Sequence, residues 1–160
     1  MSFKWFDGEV PSDIVVRQVS GLVFDKYGRM LLRNAFAEGY NLGGGRPEPT
    51  DTDMEATLRR EMLEELNVTI GKPVLVGYQT YEEKGQTFAQ VRMTAIIDEI
   101  RELRPDPDTN ITWGRLLTHP EKAIKLLNWG ETGALKIRAA VKVAKEKLGL
   151  KNFLDKDQVV

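Results

Sequence analysis

The sequence contains no cysteine and a single histidine, His119, among its 160 residues. These absences exclude disulfides, thiolate metal sites, cysteine nucleophiles and any metal site built from several histidines. The charge is nearly balanced as well, because 23 lysines and arginines oppose 24 aspartates and glutamates. That balance argues against a basic nucleic-acid scaffold and against a polybasic membrane binder. Metal or acid–base chemistry in this chain must therefore rest mostly on carboxylates.

The chain also lacks a long apolar run. No segment approaches the ~18–20 residues of a membrane span, and residues 1–10 carry charges where a signal peptide would be hydrophobic. We therefore expect a soluble, cytoplasmic protein with no membrane and no nucleic-acid partner. The length predicts one domain over residues 1–160, with an N-terminal extension over 1–13 and a frayed tail over 150–160.

Hydrophobic periodicity predicts a mixed sheet with helices, an α/β or α+β fold. The predicted strands are 14–24, 29–33, 74–80, 87–98 and 111–117, the first being one strand or two with a break near residues 20–21. The predicted helices are one that Thr52 caps and Asn67 ends, then 120–127 and 131–148. Residues 43–45, all glycine, are predicted to be irregular because glycine loses much entropy in regular structure.

The last helix is predicted to turn an apolar face inward, formed by Leu135, Ala139, Val143 and Ala144. Its basic side chains are predicted to form a solvated outer face, which comprises Lys136, Arg138, Lys142, Lys145 and Lys147. His119 precedes Pro120 at the start of the preceding helix, so we interpret it as a surface or capping residue.

Three glutamates on the first predicted helix carry the chemistry. Glu61, Glu64 and Glu65 stand at i, i+3 and i+4, which places them along one edge of the helix beside an apolar stripe. Such carboxylates repel one another unless a cation lies among them. Carboxylates without histidine or cysteine suit a hard ion such as Mg²⁺ or Mn²⁺. With a glycine loop upstream, they indicate chemistry on a phosphate.

This segment resembles the Nudix box, the signature of the Nudix hydrolases. In one-letter code the box reads G, five residues, E, seven residues, then R-E-U-x-E-E-x-G-U, where U is aliphatic. Residues 60–68, REMLEELNV, fit its second half. Residues 40–45, YNLGGG, resemble the aromatic-x-Leu-Pro-Gly-Gly segment common in the family, and Glu48 lies where many members have an acid. The resemblance implies a Nudix-like α/β/α sandwich, a mixed sheet between helices.

The sequence departs from the box in spacing and in two residue types. Counted from Gly45, the first acid is Asp51 rather than Glu, and eight residues instead of seven separate it from Arg60. The extra residue either lengthens the loop before the helix or forms a bulge within the helix near Arg59 and Arg60. Whether Arg59 or Arg60 has the structural role of the family's arginine therefore stays open. Asn67 replaces the final glycine, and Gly43 replaces proline.

The resemblance implies metal-dependent hydrolysis of a pyrophosphate bond in a nucleoside diphosphate linked to another moiety, with water attacking phosphorus. A nucleotide sugar or a (deoxy)nucleoside triphosphate is favoured as the small-molecule substrate, with Mg²⁺ or Mn²⁺ as cofactor. The implied metal ligands are Glu61, Glu64, Glu65 and the Gly44 carbonyl. The implied catalytic residues are Glu61, Glu64 and Arg60. The residues expected to contact substrate are Tyr40, Gly44, Gly45 and Arg46.

Several alternatives stay open at this point. The general base is Glu61 or an acid outside the box, among Glu82, Glu83, Asp106 and Asp108. A Nudix-fold module that binds a nucleotide without catalysis is the main rival, and an unrelated acidic-helix interaction protein is a third interpretation. The chain is a monomer or a homodimer in which residues 2–13 pack across the interface.

Overall fold

The computed structural model describes residues 2–160, which form strands, three α-helices and one short 3-10 helix at Phe36–Glu38. The first strands are β1 (Lys4–Asp7), β2 (Val15–Phe24), β3 (Met30–Asn34), β4 (Tyr40–Asn41) and β5 (Gly43–Gly45). Helix α1 (Met54–Leu66) precedes β6 (Val68–Ile70), β7 (Val74–Glu83), β8 (Gln86–Ile100) and β9 (Gly114–Thr118). Helices α2 (Pro120–Leu127) and α3 (Gly130–Lys147) and strand β10 (Gln158–Val159) complete the fold.

The strands form one mixed sheet. Its main path runs β1-β7-β8-β2-β3-β9-β10, while β4 pairs with β3, β5 with β2 and β6 with β8. The pairing of β2 with β8 is parallel and the others are antiparallel. Since β2 is continuous, the alternative of a break near residues 20–21 is excluded.

Alternating side chains of β2 separate two apolar cores, one on each face of the sheet. Val19 and Val23 pack with Leu58 and Met62 of α1 in the first core. Leu22 and Phe24 face the opposite way and pack in a second core with residues of α2 and α3 such as Leu127 and Ile137. The strand period of two thus places helices on both faces of the sheet, as predicted.

Helix α1 keeps the predicted apolar stripe, but its N-terminal cap is one residue later than predicted. Asp53, not Thr52, is the N-cap, and its side chain accepts a hydrogen bond from the Ala56 N–H. Asn67 ends the helix as predicted, in the left-handed conformation at φ 49°. Helix α2 begins after His119, whose side chain accepts from the Glu121 N–H, so the capping interpretation is confirmed.

The sequence interpretation was wrong at two short strands. Gly43–Gly45 forms strand β5, because it pairs with β2 and its bare backbone fits closely against α1. Val68–Ile70 forms β6 immediately after α1, a strand too short for its periodicity to stand out. Strand β1 lies in the predicted N-terminal extension and pairs with β7 of its own chain.

The predicted frayed tail is wrong too, because residues 150–160 pack along the domain. Leu150 is buried, and Phe153 meets Phe24 edge to face with ring centroids 6.0 Å apart. Arg29 donates to the Lys156 carbonyl at 3.2 Å and to Gln158 Oε1 at 3.0 Å. No helix within residues 2–160 combines the length and the apolar character needed to cross a membrane.

The role of the tail can be tested at Asp157, which accepts a hydrogen bond at 2.7 Å from the fully buried hydroxyl of Thr118. Asp157→Ala leaves that hydroxyl without its partner. We expect a loss of about 1 kcal/mol, or roughly 2–4 °C in Tm for a chain of this size. Thermal unfolding followed by circular dichroism measures it, with the exposed Asp155→Ala as the matched control. Equal Tm values for the two variants would contradict a stabilising tail.

Candidate functional site

Two of the three glutamates of α1, Glu61 and Glu65, lie against strand β5. Glu65 is buried, and its Oε1 accepts a hydrogen bond from the Gly44 N–H at 2.7 Å. The Glu61 carboxyl group lies where a Cβ atom of residue 45 would be, so a larger residue there would displace it. A Cβ atom at Gly43 would likewise meet the side chains of Met62 and Leu66. The glycine segment therefore allows the helix to bring its carboxylates against the bare backbone of the sheet.

Arg60 connects the loop before α1 to two of the glutamates. Its Nε and Nη2 donate to the two carboxylate oxygens of Asp51 at 3.0 and 2.9 Å, a bidentate pair. Its Nη1 donates to Glu61 Oε1 at 2.8 Å and to Glu64 Oε2 at 3.3 Å. The hydrogen bond with Arg60 lowers the pKa of Asp51 well below its usual range, and the same bond raises the pKa of Arg60.

The structure decides both questions that the extra box residue raised. Helix α1 is continuous from Met54 to Leu66 and contains no bulge, so the extra residue lengthens the loop between Gly45 and Asp53. Arg60 is the arginine that holds the loop. Arg59 points elsewhere, since it donates to Glu55 at 2.9 Å and to the Ile70 carbonyl at 2.6 Å.

A second arginine, Arg33 of β3, also contacts the acidic cluster, at Glu65. The sequence interpretation missed it. Arg33 forms an ion pair with Glu65, and its guanidinium carbon lies 4.7 Å from the centre of the Trp113 ring. The Nε atom of Arg33 is buried and has no hydrogen-bond partner. Pairing across the sheet brings this arginine to the site, and no signal in the local sequence could have indicated it.

Burial controls the protonation of the three glutamates. Loss of hydration raises the pKa of Glu61 to about 7, with further increases from the negative charges of Glu65 and Glu64 and an opposing effect of Arg60. Burial also raises the pKa of Glu64 and of Glu65. A carboxyl group that titrates near neutral pH can take and release a proton under ordinary conditions.

The donor set suits a divalent ion, although arginines hold its carboxylates in this structure. Among residues 2–160, no group of three or more acidic or histidine side chains is arranged around one ion position. Glu61 and Glu64 nevertheless converge on one nitrogen, Arg60 Nη1, which a cation could replace. Carboxylate oxygens are the ligands that Mg²⁺ and Mn²⁺ prefer. The assignment of Glu61, Glu64, Glu65 and Gly44 as metal ligands stays a prediction.

The four outside candidates for the general base divide into two pairs. Asp106 and Asp108 lie close enough to act on the site electrostatically, because Asp106 raises the pKa of Glu65 and Asp108 that of Glu64. Trp113 Nε1 donates to Asp106 at 3.5 Å. Glu82 and Glu83 end strand β7, and Glu83 forms an ion pair with Arg17. Asp106 and Asp108 are therefore better placed than Glu82 and Glu83 to act as the general base.

Residues expected to contact substrate are only partly gathered at the site. Gly44 and Gly45 lie beside Glu65 and Glu61. Arg46 is exposed, and its carbonyl accepts from Arg60 Nη2 at 3.0 Å. Tyr40 packs against the second core, whereas its neighbour Asn41 lines a cavity.

That cavity, which we call the α3 cavity, has a volume of about 510 Å³ and lies on the α3 face of the sheet. It also contains Ser20, whose register partner in the sheet is Gly44. Its polar and aromatic lining includes Gln18, Gln79, Gln90, Arg92, Trp129 and Lys136. A volume of this size is ordinary for a small-molecule site.

Two predictions for α3 were wrong at this cavity. Lys136 was placed on a solvated outer face, but it is 3% exposed and donates to Gln79 Oε1 at 2.6 Å. Leu135 was predicted to face inward, but it is 54% exposed. The buried face of α3 comprises Gly133, Lys136, Ile137, Ala140 and Ala144, so it is rotated relative to the predicted face. Alternating polar residues within β2 and β8, such as Gln18 and Arg92, were the sequence signal for such a cavity.

A methyl group at position 45 tests the contact between β5 and α1. Gly45→Ala is expected to displace the Glu61 carboxyl group and to destabilise the fold by about 1–3 kcal/mol through overpacking. Urea unfolding gives the free energy of unfolding. Gly71→Ala is the control, because a Cβ at Gly71 meets only the Ile96 carbonyl oxygen, at 3.6 Å. Equal stability of the two variants would contradict the contact.

The ion pair of Asp51 and Arg60 predicts a pH-dependent stability. Because folding lowers the pKa of Asp51 below 3.8, its ionised form stabilises the fold above that pH, and the benefit is lost as the pH falls through the folded pKa. Asp51→Asn should therefore lower Tm by several degrees at pH 7 and by progressively less below pH 3.8. Exposed Asp98→Asn is the control, and a Tm difference independent of pH would refute this account.

Comparison with known proteins supports the fold. No family model matches the sequence, and no curated protein matches it. Among solved structures, the Bacillus subtilis pyrophosphohydrolase BsRppH is 17% identical, with a TM-score of 0.69 over 88% of this chain and 90% of that chain. The E. coli ORF135 protein is 19% identical, with a TM-score of 0.58 over 88% and 98% of the two chains.

A C. elegans Ap4A hydrolase in a binary complex is 18% identical, with a TM-score of 0.57 over 82% of this chain and 99% of that chain. All three likenesses extend over most of both chains, and at these identities they establish the fold. The mixed sheet between helices that the sequence predicted is confirmed, and the chain has the fold of the Nudix hydrolases.

Proposed function

We propose that the protein is a metal-dependent pyrophosphohydrolase that acts on a nucleoside diphosphate linked to another moiety. The observation that carries the proposal is the placement of Glu61 and Glu65 against the bare backbone of Gly44 and Gly45, with Glu64 joined to Glu61 through Arg60. The similar structures include a pyrophosphohydrolase and an Ap4A hydrolase by name, and both names describe cleavage of phosphoanhydrides. A nucleotide sugar or a (deoxy)nucleoside triphosphate remains the favoured substrate.

The proposed reaction is attack of water on one phosphorus of the pyrophosphate. A new P–O bond forms to the water oxygen, and the bond from that phosphorus to the bridging oxygen breaks. The electron pair of the broken bond leaves with the bridging oxygen on the second phosphate. A nucleotide sugar would give a nucleoside monophosphate and a sugar phosphate, and a nucleoside triphosphate a nucleoside monophosphate and pyrophosphate or a nucleoside diphosphate and phosphate. The proton of the attacking water passes to a base.

Glu61 is the proposed base. Its carboxyl group is buried beside Gly45, and its pKa of about 7 lets it accept a proton from water near neutral pH. Arg60 donates to one of its oxygens at 2.8 Å, a contact that a bound ion would replace. Arg60 is thus a positioning residue, because it also ties the glutamate to the loop through Asp51.

A divalent ion held by Glu61, Glu64 and Glu65 would polarise the phosphate and neutralise the charge that develops there. For these glutamates to serve as ligands, Arg60 and Arg33 must release them, because both arginines pair with them in the structure. The arginines therefore offset part of the negative charge of the acidic cluster until an ion takes their place.

The same pairing favours a second candidate function. A Nudix-fold module that senses a nucleotide without cleaving it needs no metal cluster, and the carboxylates here are already paired with arginines. Such a module would bind a nucleotide saturably and release it unchanged.

A nucleotide panel with Mg²⁺ or Mn²⁺ tests the proposal. Cleavage of the nucleotide should be metal-dependent, and Glu61→Gln, Glu64→Gln or Glu65→Gln should each lower kcat by about 10²-fold or more, the usual scale for general acid–base groups. Glu146→Gln on the exposed side of α3 is the control. Saturable binding without turnover would favour the sensor, and neither binding nor turnover across a broad panel would reject both functions.

A further inference from the structure

The α3 cavity holds two buried cations and no acid among its lining residues. Arg92 is 4% exposed and Lys136 is 3% exposed. The lining contains glutamine, serine, asparagine, threonine and aromatic side chains, but neither aspartate nor glutamate. Buried charges in proteins are normally paired, since an unpaired one is costly to remove from water.

Glutamine oxygens satisfy the two cations only in part. Lys136 Nζ donates to Gln79 Oε1 at 2.6 Å, and Gln79 Nε2 in turn donates to Gln90 Oε1 at 2.6 Å. Arg92 donates to the Val91 carbonyl at 3.2 Å, to Gln18 at 3.3 Å and to Gln90 at 3.5 Å, all long contacts, while its buried Nε has no partner. Dipoles of neutral side chains thus surround the cations, and the cavity has a net positive charge.

This arrangement lowers the pKa of both cations, Lys136 and Arg92. Burial, with a further effect of the Arg92 charge, lowers the pKa of Lys136 to about 7. Burial lowers the pKa of Arg92 to about 10. An anion between them would compensate both charges and would supply the acceptor that Arg92 Nε lacks.

The cavity adjoins the glycine segment of the candidate active site. Ser20 lines the cavity, and its register partner Gly44 donates to Glu65. The cavity and the glutamates are thus neighbours across the paired strands β2 and β5. The ring of Trp129, whose centre lies 4.8 Å from Lys136 Nζ, forms an apolar wall beside the cations.

We propose that the α3 cavity binds an oxyanion of phosphate type that the substrate carries away from the bond to be hydrolysed. The charge of Arg92 and Lys136, their burial and the absence of a carboxylate from the lining select such a group. This inference rests on the proposed function and refines its substrate class to nucleotides with an additional monoester phosphate. Arg92 and Lys136 would then determine specificity.

Matched ligands that differ in one monoester phosphate test the proposal. Coenzyme A is compared with 3′-dephospho-coenzyme A, and NADP⁺ with NAD⁺, by isothermal titration calorimetry in EDTA. At least one phosphorylated member should bind about tenfold more tightly than its partner, the scale of charge-assisted hydrogen bonds. Lys136→Met and Arg92→Met should reduce that ratio to below about twofold, while exposed Lys142→Met should preserve it.

Stability measurements keep the variants interpretable. Lys136→Met removes a desolvated charge, so its Tm at pH 6 should equal or exceed that of the wild type. A preference that is lost while Tm is retained then reports on binding. Equal affinities within both pairs, or a preference that Lys136→Met leaves intact, would overturn the proposal.

Inorganic phosphate distinguishes the source of the oxyanion. Suppose that free phosphate binds, that Lys136→Met abolishes this binding, and that the two members of each ligand pair bind equally well. The cavity then takes the free ion, and the proposal is overturned. The titrations contain no metal and require no turnover. A preference for the phosphorylated ligands without any hydrolysis would therefore support the proposed cavity site and contradict only the proposed enzymatic activity. Hydrolysis without such a preference would support the activity and contradict the cavity site.

Discussion

Strand β5 lies so close to its neighbours that a Cβ atom at Gly43 or Gly45 would meet side chains of helix α1, and one at Gly44 would meet the backbone of β2. This packing sets the positions of the Glu61 and Glu65 carboxyl groups in the candidate site. Glu61 fills the space above Gly45, and Glu65 meets the N–H of Gly44 at 2.7 Å. Burial raises the pKa of these glutamates, and the same burial requires the arginines that compensate them.

The two arginines have different structural origins. Arg60 is local to the box and closes the longer loop through Asp51, so the extra residue leaves the helix intact. Arg33 arrives from β3 and acts only because the sheet brings that strand beside α1. Together they offset part of the negative charge of the acidic cluster and so reduce the repulsion among three carboxylates on one helix edge.

The sequence predicted the parts of the fold and site that depend on local patterns. The apolar stripe Met54, Leu58, Met62 and Leu66 predicted α1, and the left-handed tolerance of asparagine predicted its end at Asn67. The order of strands and helices, with the resemblance to the Nudix box, predicted the layered fold. For the arginine that holds the loop, the sequence narrowed the choice to Arg59 or Arg60.

The remainder depends on contacts between segments far apart in sequence. Lys136 lies inside the domain because Gln79, a residue 57 positions away, accepts its hydrogen bond. The tail packs because Arg29 and Thr118 hold it, and no composition rule for termini takes account of such partners. A strand of three glycines has no side-chain pattern to read, and its existence follows only from its pairing with β2.

Hydrolysis in water labelled with ¹⁸O tests the central claim most directly, once a substrate from the panel is in hand. Attack at phosphorus predicts one ¹⁸O atom in a phosphate product by mass spectrometry, with a rate that Glu61→Gln lowers. Label in a product that carries no phosphate, or no label in any product, would contradict the account.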